Sequence, residues 1–506
     1  MTIPGKDLKH SARSALVWGV TFTLGRDLVQ FGSMLILARL LSPEIYGQFA
    51  LTQTIQIFLA VISVKTISPF ALQVRDPKDF DWDLQFTAGT VLNTAVFIIT
   101  LIVAGGFYVF GGEIGRTVGM VLAVMALIFP TEIIGTHYFT WLQAHHLWKR
   151  MRLLLLVGTF LGSISSIALA KLGGGVFSLA IGNLCFTLPM IFEYAVRRPF
   201  PLRFQPRRLH LYRQGREFGL NRIASGGLQT GSSLVEQSII SVLFGFSTLG
   251  VYTRAVGLAQ ITSGRIGPVV TQTLYPILTR AEASSDRFRC FAGILFQGVL
   301  WTSVPSAAFL ALEAQQLVHL FYGDKWLSVI PLVGAAATLL SLRGLHLTMN
   351  QIMLANLQQK VCLRLDWAAA ISLLTVILST AFLGPKFYLL ALSVHAALVL
   401  LGTTWFAIRG GAIAAVPAVR AIASCLAATM VAIAAITYIP SNAVRSSVIE
   451  TLLSLAVHGV VFGVVYILIL RLLAPKEIEF VLGALPLPER VERASRMFLN
   501  VPRGPA

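Results

Sequence analysis

The sequence is poor in charged residues, and this shortage excludes most classes of soluble protein. Of its 506 residues only 12% are Asp, Glu, Lys or Arg, whereas 56% are hydrophobic; soluble domains carry about 25% charged residues. A mean hydropathy of +0.76 is too high to be hidden in a soluble core. Apolar stretches of about 20 residues, each able to cross ~30 Å of hydrocarbon, recur along the chain. The composition therefore predicts an all-α polytopic membrane protein.

Cysteine and the usual catalytic motifs are also scarce. The four cysteines (Cys185, Cys290, Cys362 and Cys425) lie far apart, in or beside apolar stretches. Their spacing matches neither a metal site nor a disulfide framework, so they are predicted to be small buried hydrophobes. The sequence contains no nucleophile triad and no phosphate-binding loop, which excludes an ATPase. We expect no enzyme activity, no metal and no cofactor.

Acidic residues are outnumbered, with 22 Asp and Glu against 40 Lys and Arg, for a net charge of +18. Nucleic-acid binding is not expected, because no soluble domain exists to carry it. Membrane topology explains the charge better.

Fourteen spans with short connections are predicted, at 14–38, 45–68, 84–110, 114–142, 151–171, 174–195, 217–245, 248–278, 290–312, 327–354, 361–383, 387–408, 415–439 and 448–472. The first apolar run is too long for a signal-peptide core and is expected to be retained.

The basic residues fix the predicted orientation. With the N-terminus in the cytoplasm, 28 of the 40 fall in the tails, loops and span ends of that side, 6 fall in the opposite loops and 6 fall inside spans. This positive-inside bias predicts that both termini are cytoplasmic. Seven arginines occupy the loop between spans 6 and 7, from Arg197 to Arg216, and this loop should lie at anionic headgroups.

The chain repeats itself at an offset of 203 residues. The segment LLSPEIYGQF, residues 40–49, resembles LFGFSTLGVY, residues 243–252. Each is a short turn between two spans, with a glycine followed two places later by an aromatic residue. The repeat predicts two parallel, pseudo-symmetric six-helix lobes plus two C-terminal helices. The predicted boundaries are 1–196 for the N-lobe, 197–410 for the basic loop and C-lobe, 411–474 for spans 13 and 14, and 475–506 for a cytoplasmic tail.

Charged residues inside spans mark candidate functional positions, because a charge at the bilayer centre costs roughly 2.5–3.5 kcal/mol on insertion scales. Six basic and three acidic residues lie there, and five of the basic ones fall on spans 1, 2, 7 and 8. Polar side chains continue these positions as stripes at helical spacing. Interhelical hydrogen bonding would explain individual polar residues. A hydrated cationic cavity between the lobes explains the arginines better, and its predicted lining is Arg26, Arg254, Arg265, Arg343, Gln30, Gln56, Gln229 and Glu236.

Two of the intramembrane bases have a simpler explanation. Lys65 and Arg222 lie near span ends and could snorkel to the interface. Asp27, adjacent to Arg26, points about 100° away from it and is expected to pair with an arginine on a neighbouring helix. A cationic cavity favours an anionic substrate, and phosphate or pyrophosphate matches arginine forks well.

The stretch LILARLLSPEIYGQFA, residues 35–50, closely resembles the first-turn signature of bacterial polysaccharide flippases, which translocate O-antigen and exopolysaccharide precursors. These proteins belong to the multidrug/oligosaccharidyl-lipid/polysaccharide exporter superfamily. GVYTRA at 250–255 and LYPIL at 274–278 resemble second-half segments of that family. The resemblance covers roughly residues 10–475, and its first motif is the specific one.

This resemblance implies a two-lobed bundle that flips an undecaprenyl-pyrophosphate-linked oligosaccharide across the inner membrane by alternating access, for O-antigen, lipopolysaccharide or exopolysaccharide biosynthesis. Cationic cavity residues would engage the pyrophosphate, and spans 13 and 14 would form a groove for the lipid tail. Implied partners are the lipid-linked oligosaccharide, membrane lipids and a polysaccharide polymerase or export machinery, with the flippase itself a monomer. Transport would draw on an ion gradient or the membrane potential.

Two alternatives remain open. A multidrug or cation exporter of the same superfamily would need acidic cavity residues, and Asp27 and Glu236 keep proton coupling available to it. An integral-membrane glycosyltransferase would explain the D-x-D spacing of Asp79, Asp81 and Asp83 in the segment DFDWD, although acids just before a span also cap a helix N-terminus. His137, His145 and His146 would suit a metal, but their tryptophan neighbours favour an interfacial aromatic belt.

Overall fold

The computed structural model describes residues 22, 25–74, 78–278, 282–439 and 448–475. The side chains at 114, 221, 225, 229, 261–277 and 381 lie outside this description. Over the described ranges the chain is almost wholly helical and forms no strand. The predicted all-α class is confirmed.

The first half of the chain contains nine helices in the part that is described. Residues 25–40 form α1. The next eight are α2 (Pro43–Leu59), α3 (Val64–Ile67), α4 (Trp82–Phe110), α5 (Gly112–Ala126), α6 (Ile128–Ala144), α7 (Trp148–Lys171), α8 (Gly175–Cys185) and α9 (Leu188–Arg197). Short 3-10 turns occupy Ala60–Ile62, Ser68–Gln73 and Pro206–Leu211.

The second half begins with the longest helix, α10 (Arg213–Leu278). It is followed by α11 (Asp286–Leu312), α12 (Ala314–Phe321), α13 (Ile330–Ala355), α14 (Gln359–Thr380), α15 (Pro385–Arg409), α16 (Ala415–Thr437) and α17 (Val448–Leu473). Further 3-10 turns lie at Asp324–Val329 and Ala381–Leu383.

Twelve helical segments among the described residues are long and apolar enough to cross a membrane. The predicted count of fourteen is not confirmed, for two reasons. Most of the predicted first span, 14–38, lies outside the described residues. The predicted seventh and eighth spans are continuous in α10, whose helical geometry is broken at Gly245 (φ 81°, ψ 168°). A straight helix of 66 residues would reach roughly 100 Å, so α10 is too long for one crossing.

The ends of the helices follow from local sequence. Ser42 caps α2 by accepting a hydrogen bond from the Ile45 amide (3.5 Å), and Pro43 occupies the first helical position, where a missing N–H costs nothing. Asp81 caps α4 in the same way, accepting from the Leu84 amide at 2.9 Å. The first-turn signature is therefore a helix-initiation sequence.

The chain divides into two compact units, residues 1–250 and 251–506. In the first unit α4 packs on α5 and α6, and α7 packs on α8. In the second unit α11 lies between α13 and α16, and α17 packs on α16. The lobe boundaries proposed from the sequence, at 196, 410 and 474, stay a prediction.

Candidate functional site

Helix α2 and the first segment of α10 run antiparallel in the first unit and bring polar side chains together. Thr54 donates to the amide oxygen of Gln237 at 2.8 Å. Further along, the ring of Phe58 faces Gly231, whose missing side chain makes room for it. These helices also carry two predicted cavity residues: Gln56 and Glu236 are only 6% and 5% exposed. The polar stripe of each helix is therefore at least partly an interhelical contact.

The predicted cavity residues of α1 differ in exposure. Arg26 is half-buried, and its Nε atom is enclosed with no hydrogen-bond partner among the described residues. Its terminal nitrogen lies 3.4 Å from the carboxylate of Asp27. The two side chains meet because the long arginine side chain folds back to its neighbour. Pairing of Asp27 with an arginine on a neighbouring helix stays a prediction. Gln30 is exposed.

In the second unit Arg254 is half-buried, and its backbone carbonyl accepts a hydrogen bond from the Tyr322 hydroxyl (3.4 Å). Tyr322 is itself buried against Trp326, with ring centroids 5.8 Å apart. The start of the unit is thus anchored to the turn that precedes α13. The side chains of Arg265 and Gln229 lie outside the described residues, and their cavity roles stay predictions.

Arg343 belongs to a polar cluster on α13, α14 and α15. His346 and Asn350 follow it at helical spacing on α13, and Arg343 is within electrostatic range of His395. The Asn350 amide donates to Asp366 at 2.9 Å. His346 lies 3.0 Å from the Thr403 hydroxyl and 4.0 Å from Asp366. Five polar side chains from three spans therefore lie close together inside this unit. They are Arg343, His346, Asn350, Asp366 and His395.

A buried ion pair lies where α2 ends in the first unit. Lys65, on the short helix α3, contacts the carboxylate of Glu132, which is only 3% exposed. Asn93 stabilises the chain between α2 and α3. It accepts a hydrogen bond from the Val64 amide (2.7 Å) and donates one to the Phe129 carbonyl (2.8 Å). The side chain of Lys65 is 55% exposed, and it also forms the ion pair with Glu132. Snorkelling alone, as predicted, therefore does not describe this lysine. The signal in the sequence was an unexplained Glu132 inside an apolar span.

A second buried pair went unnoticed in the sequence. Glu313 follows α11 and accepts from the His458 ring of α17 at 2.7 Å, and the two residues are 4% and 1% exposed. Glu313 falls just beyond a predicted span and His458 is a lone polar residue on an apolar helix. Nothing in their local sequence links two positions 145 residues apart.

The carboxylates of Asp81 and Asp83 form hydrogen bonds and an ion pair within the fold. Asp81 caps α4 with one oxygen and pairs with Arg208 through the other. Asp83 accepts from the Arg203 amide (3.1 Å) and from the side chain of Gln205 (3.3 Å). The capping interpretation of Asp81 is confirmed, and both acids tie the basic loop to α4.

The histidines near the end of α6 lie among aromatic rings. His145 stacks on Trp141 with centroids 4.1 Å apart, and His137 meets the edge of Trp82 at 5.5 Å. Within the described ranges no group of three His, Cys, Asp or Glu side chains is placed to hold a metal ion. The four cysteines are free thiols.

Two solved structures share this fold. The "Lipid II flippase MurJ, inward closed conformation" matches 92% of this chain and 100% of its own, with a TM-score of 0.72 at 13% identity. An inward-facing multidrug resistance MATE family transporter of the MOP superfamily matches 76% of this chain and 95% of its own, with a TM-score of 0.59 at 15% identity. The chain therefore shares the fold of these two multi-pass proteins.

Sequence comparison then gives the family. The chain belongs to the family described as "Polysaccharide biosynthesis protein", which matches residues 36–331. The succinoglycan biosynthesis transport protein ExoT of Rhizobium meliloti is 26% identical over 63% of this chain and 64% of its own length. The lipopolysaccharide biosynthesis protein WzxC of Escherichia coli is 20% identical over 69% and 71%. The match thus spans just under two thirds of the Rhizobium relative.

Proposed function

We propose that this protein flips an undecaprenyl-pyrophosphate-linked oligosaccharide from the cytoplasmic to the periplasmic leaflet of a bacterial inner membrane, for cell-surface polysaccharide biosynthesis. The family and its transport-named relatives support this function and give no support to an enzyme. A flippase-like fold is consistent with alternating access. Its direct partners would be the lipid-linked oligosaccharide and membrane lipids, with a polymerase acting on the product and the flippase working as a monomer.

The observation that carries the proposal is the state of the intramembrane arginines. Arg26, Arg254 and Arg343 fall inside predicted spans, and all three are half-buried. A charge inside a span marks a candidate functional position, because at the bilayer centre it costs roughly 2.5–3.5 kcal/mol on insertion scales. Planar guanidinium forks bind the oxygens of phosphate groups bidentately. These arginines would engage the pyrophosphate while it crosses.

Complementation tests the role of these arginines. In a strain lacking the gene, Arg254→Ala combined with Arg265→Ala should abolish surface polysaccharide and let the lipid-linked precursor accumulate, with unchanged protein in the membrane. Arg→Lys at both positions should restore part of the polymer, since a point charge keeps attraction but loses the fork. Arg116→Ala, at an exposed position, is the matched control. Normal polymer in the Arg254→Ala/Arg265→Ala variant would refute the proposed engagement.

The orientation is part of the same proposal. With both termini in the cytoplasm, a reporter fused after Gly112 should be periplasmic and one fused after Pro206 cytoplasmic. The reverse pattern would overturn the orientation without touching the family assignment.

For energy, we propose an ion gradient or the membrane potential in place of any cofactor. The cluster of His346, Asp366 and His395 contains groups that can change protonation, and it lies inside the second unit. Flipping in proteoliposomes should respond when a pH gradient or potential is imposed. A rate that is unchanged by both would exclude this coupling.

A further inference from the structure

A cavity of about 230 Å³ opens on the first unit where α3, α4 and the start of α10 meet. Its depth is formed by apolar side chains, and its rim by basic ones. Ile67 and Ala88 line the bottom, with Leu92 and Leu220 along the sides. Gly219 closes the bottom, because a Cβ atom there would lie 2.8 Å from Ile67. We refer to this cavity as the Arg213 groove.

The rim of the groove is positively charged. Arg213, Arg216 and His210 line it, and all three are exposed. The Nε atom of Arg213 lies 3.2 Å from a carboxylate oxygen of Glu217. Both side chains are exposed, so solvent weakens this ion pair. Arg216 makes no ion pair within the part of the chain that the structure describes. The first turn of α10 adds its own partial positive charge, so the rim attracts an anion.

The positions of the charged rim and of the apolar lining along the helices match the headgroup and the acyl chain of a lipid. The arginines stand at the first residues of α10, while the apolar lining on α10 and on α4 lies six to ten residues into each helix. At 1.5 Å per residue the groove extends roughly 9–15 Å below its charged rim. A headgroup phosphate at the arginines would therefore place the upper part of an acyl chain against Leu92 and Leu220.

The groove is preformed, because the segment that leads into α10 and carries His210 of the rim is fixed to α4. Arg208 pairs with Asp81, and the Gln205 amide donates to the Thr87 hydroxyl at 2.9 Å. Tyr212 donates to the side-chain oxygen of Gln85, and burial raises the pKa of Tyr212, so this donor persists at every physiological pH. A rigid rim lowers the entropic cost of binding.

We propose that the Arg213 groove binds one anionic phospholipid of the surrounding leaflet, phosphate on Arg213 and Arg216 and one acyl chain in the apolar part. The volume of about 230 Å³ holds part of one acyl chain. The site is assigned to a structural lipid and not to the transported one, because its lining includes none of the arginines proposed for transport. It would fasten the basic loop to the membrane surface.

Native mass spectrometry of the purified full chain with dioleoyl phosphatidylglycerol tests the assignment. We expect one retained lipid on the wild type, and binding roughly thirtyfold weaker in Arg213→Gln/Arg216→Gln, since each arginine near an anionic headgroup contributes about a factor of five. The matched control is Arg198→Gln/Arg203→Gln, which removes two charges from the same loop outside the groove. Equal loss in both double variants would reduce the effect to general surface charge and overturn the site.

Three further arms test the chemistry of the ligand. Dioleoyl phosphatidylcholine and the soluble headgroup glycerophosphoglycerol should both bind at least tenfold more weakly than phosphatidylglycerol. Leu220→Trp, at an exposed position, should block the chain without disturbing the fold and weaken retention. Undecaprenyl phosphate should not displace the retained lipid. Displacement by undecaprenyl phosphate, or headgroup binding equal to that of the intact lipid, would refute the proposal, and neither result bears on the arginines proposed for transport.

Discussion

Gly47 and Gly250, which correspond to each other at the 203-residue offset, lie face to face in the first unit. A Cβ atom on Gly47 would overlap the carbonyl oxygen of Phe246, and one on Gly250 would overlap the carbonyl oxygen of Pro43. Pro43 and Phe246 are related by the same offset, so the contact is reciprocal. The repeated glycine of each turn therefore lets the backbones of α2 and α10 touch, as small residues do between membrane helices.

This contact predicts that alanine is not tolerated at either glycine. Gly47→Ala or Gly250→Ala must push the backbones apart, and we expect the free energy of unfolding to fall by about 1–3 kcal/mol, with loss of polysaccharide in complementation. The measurement is thermal unfolding in detergent. Gly257→Ala is the control, because a Cβ atom on Gly257 has nothing within 4 Å. Equal stability of Gly250→Ala and Gly257→Ala would contradict the packing argument.

The Lys65–Glu132 pair predicts that the effects of substituting its two residues are not additive. Lys65→Met should destabilise by about 2–3 kcal/mol, because it leaves the carboxylate of Glu132 buried without its cation; the half-exposed lysine keeps the loss below that of a fully buried pair. Lys65→Met/Glu132→Gln should recover most of that loss. Additive effects of the two substitutions, measured by denaturation in detergent, would show that the pair does not couple.

The Glu313–His458 contact predicts that this buried hydrogen bond helps to hold α17 to the end of α11. His458→Ala should lower stability by about 1–3 kcal/mol, since it strands a buried acceptor. Ser454→Ala, one turn away on the same helix, is the control. The Ser454 hydroxyl is buried without a partner among the described residues, so its removal should be neutral or slightly stabilising. Proteolysis of α17 with equal rates in both variants would argue against the predicted role.

The contacts of Asp81 and Asp83 predict a structural and not a catalytic role. Asp81→Ala should cost about 1 kcal/mol through the lost cap of α4. Asp81→Asn/Asp83→Asn keeps side-chain oxygens that can accept the same hydrogen bonds and should leave polysaccharide production near normal. A metal-binding D-x-D would lose its activity in that variant, so absence of polymer would revive the glycosyltransferase alternative.

Much of the fold could be predicted because membrane insertion is decided locally. Spans such as Trp148–Lys171 and Ala415–Thr437 were found within a few residues, since each must present about 20 apolar residues to lipid. The break at Gly245 was also anticipated by the repeated turn. The division of the long α10 could be placed because residues 243–252 match the first turn, and the structure adds that Gly245 adopts the positive φ that the break requires.

The candidate site could be predicted only in part. Counting charges in spans found Arg26, Arg254, Arg343 and Glu132, because every intramembrane charge is conspicuous in an apolar background. It did not anticipate that Arg26 reaches Asp27, because helical spacing describes where a side chain starts and not where a long one ends. It also missed Glu313, which lies one residue beyond its helix.

The sequence by itself determined that this chain is a multi-pass helical membrane protein, where most of its spans lie and which charges they contain, because hydropathy acts over one span at a time. Only the tertiary structure decided which residues meet: Gly47 with Gly250, Lys65 with Glu132, and Glu313 with His458. Such pairs depend on the rotation and depth of helices far apart in the chain, and packing of whole side-chain surfaces sets these quantities.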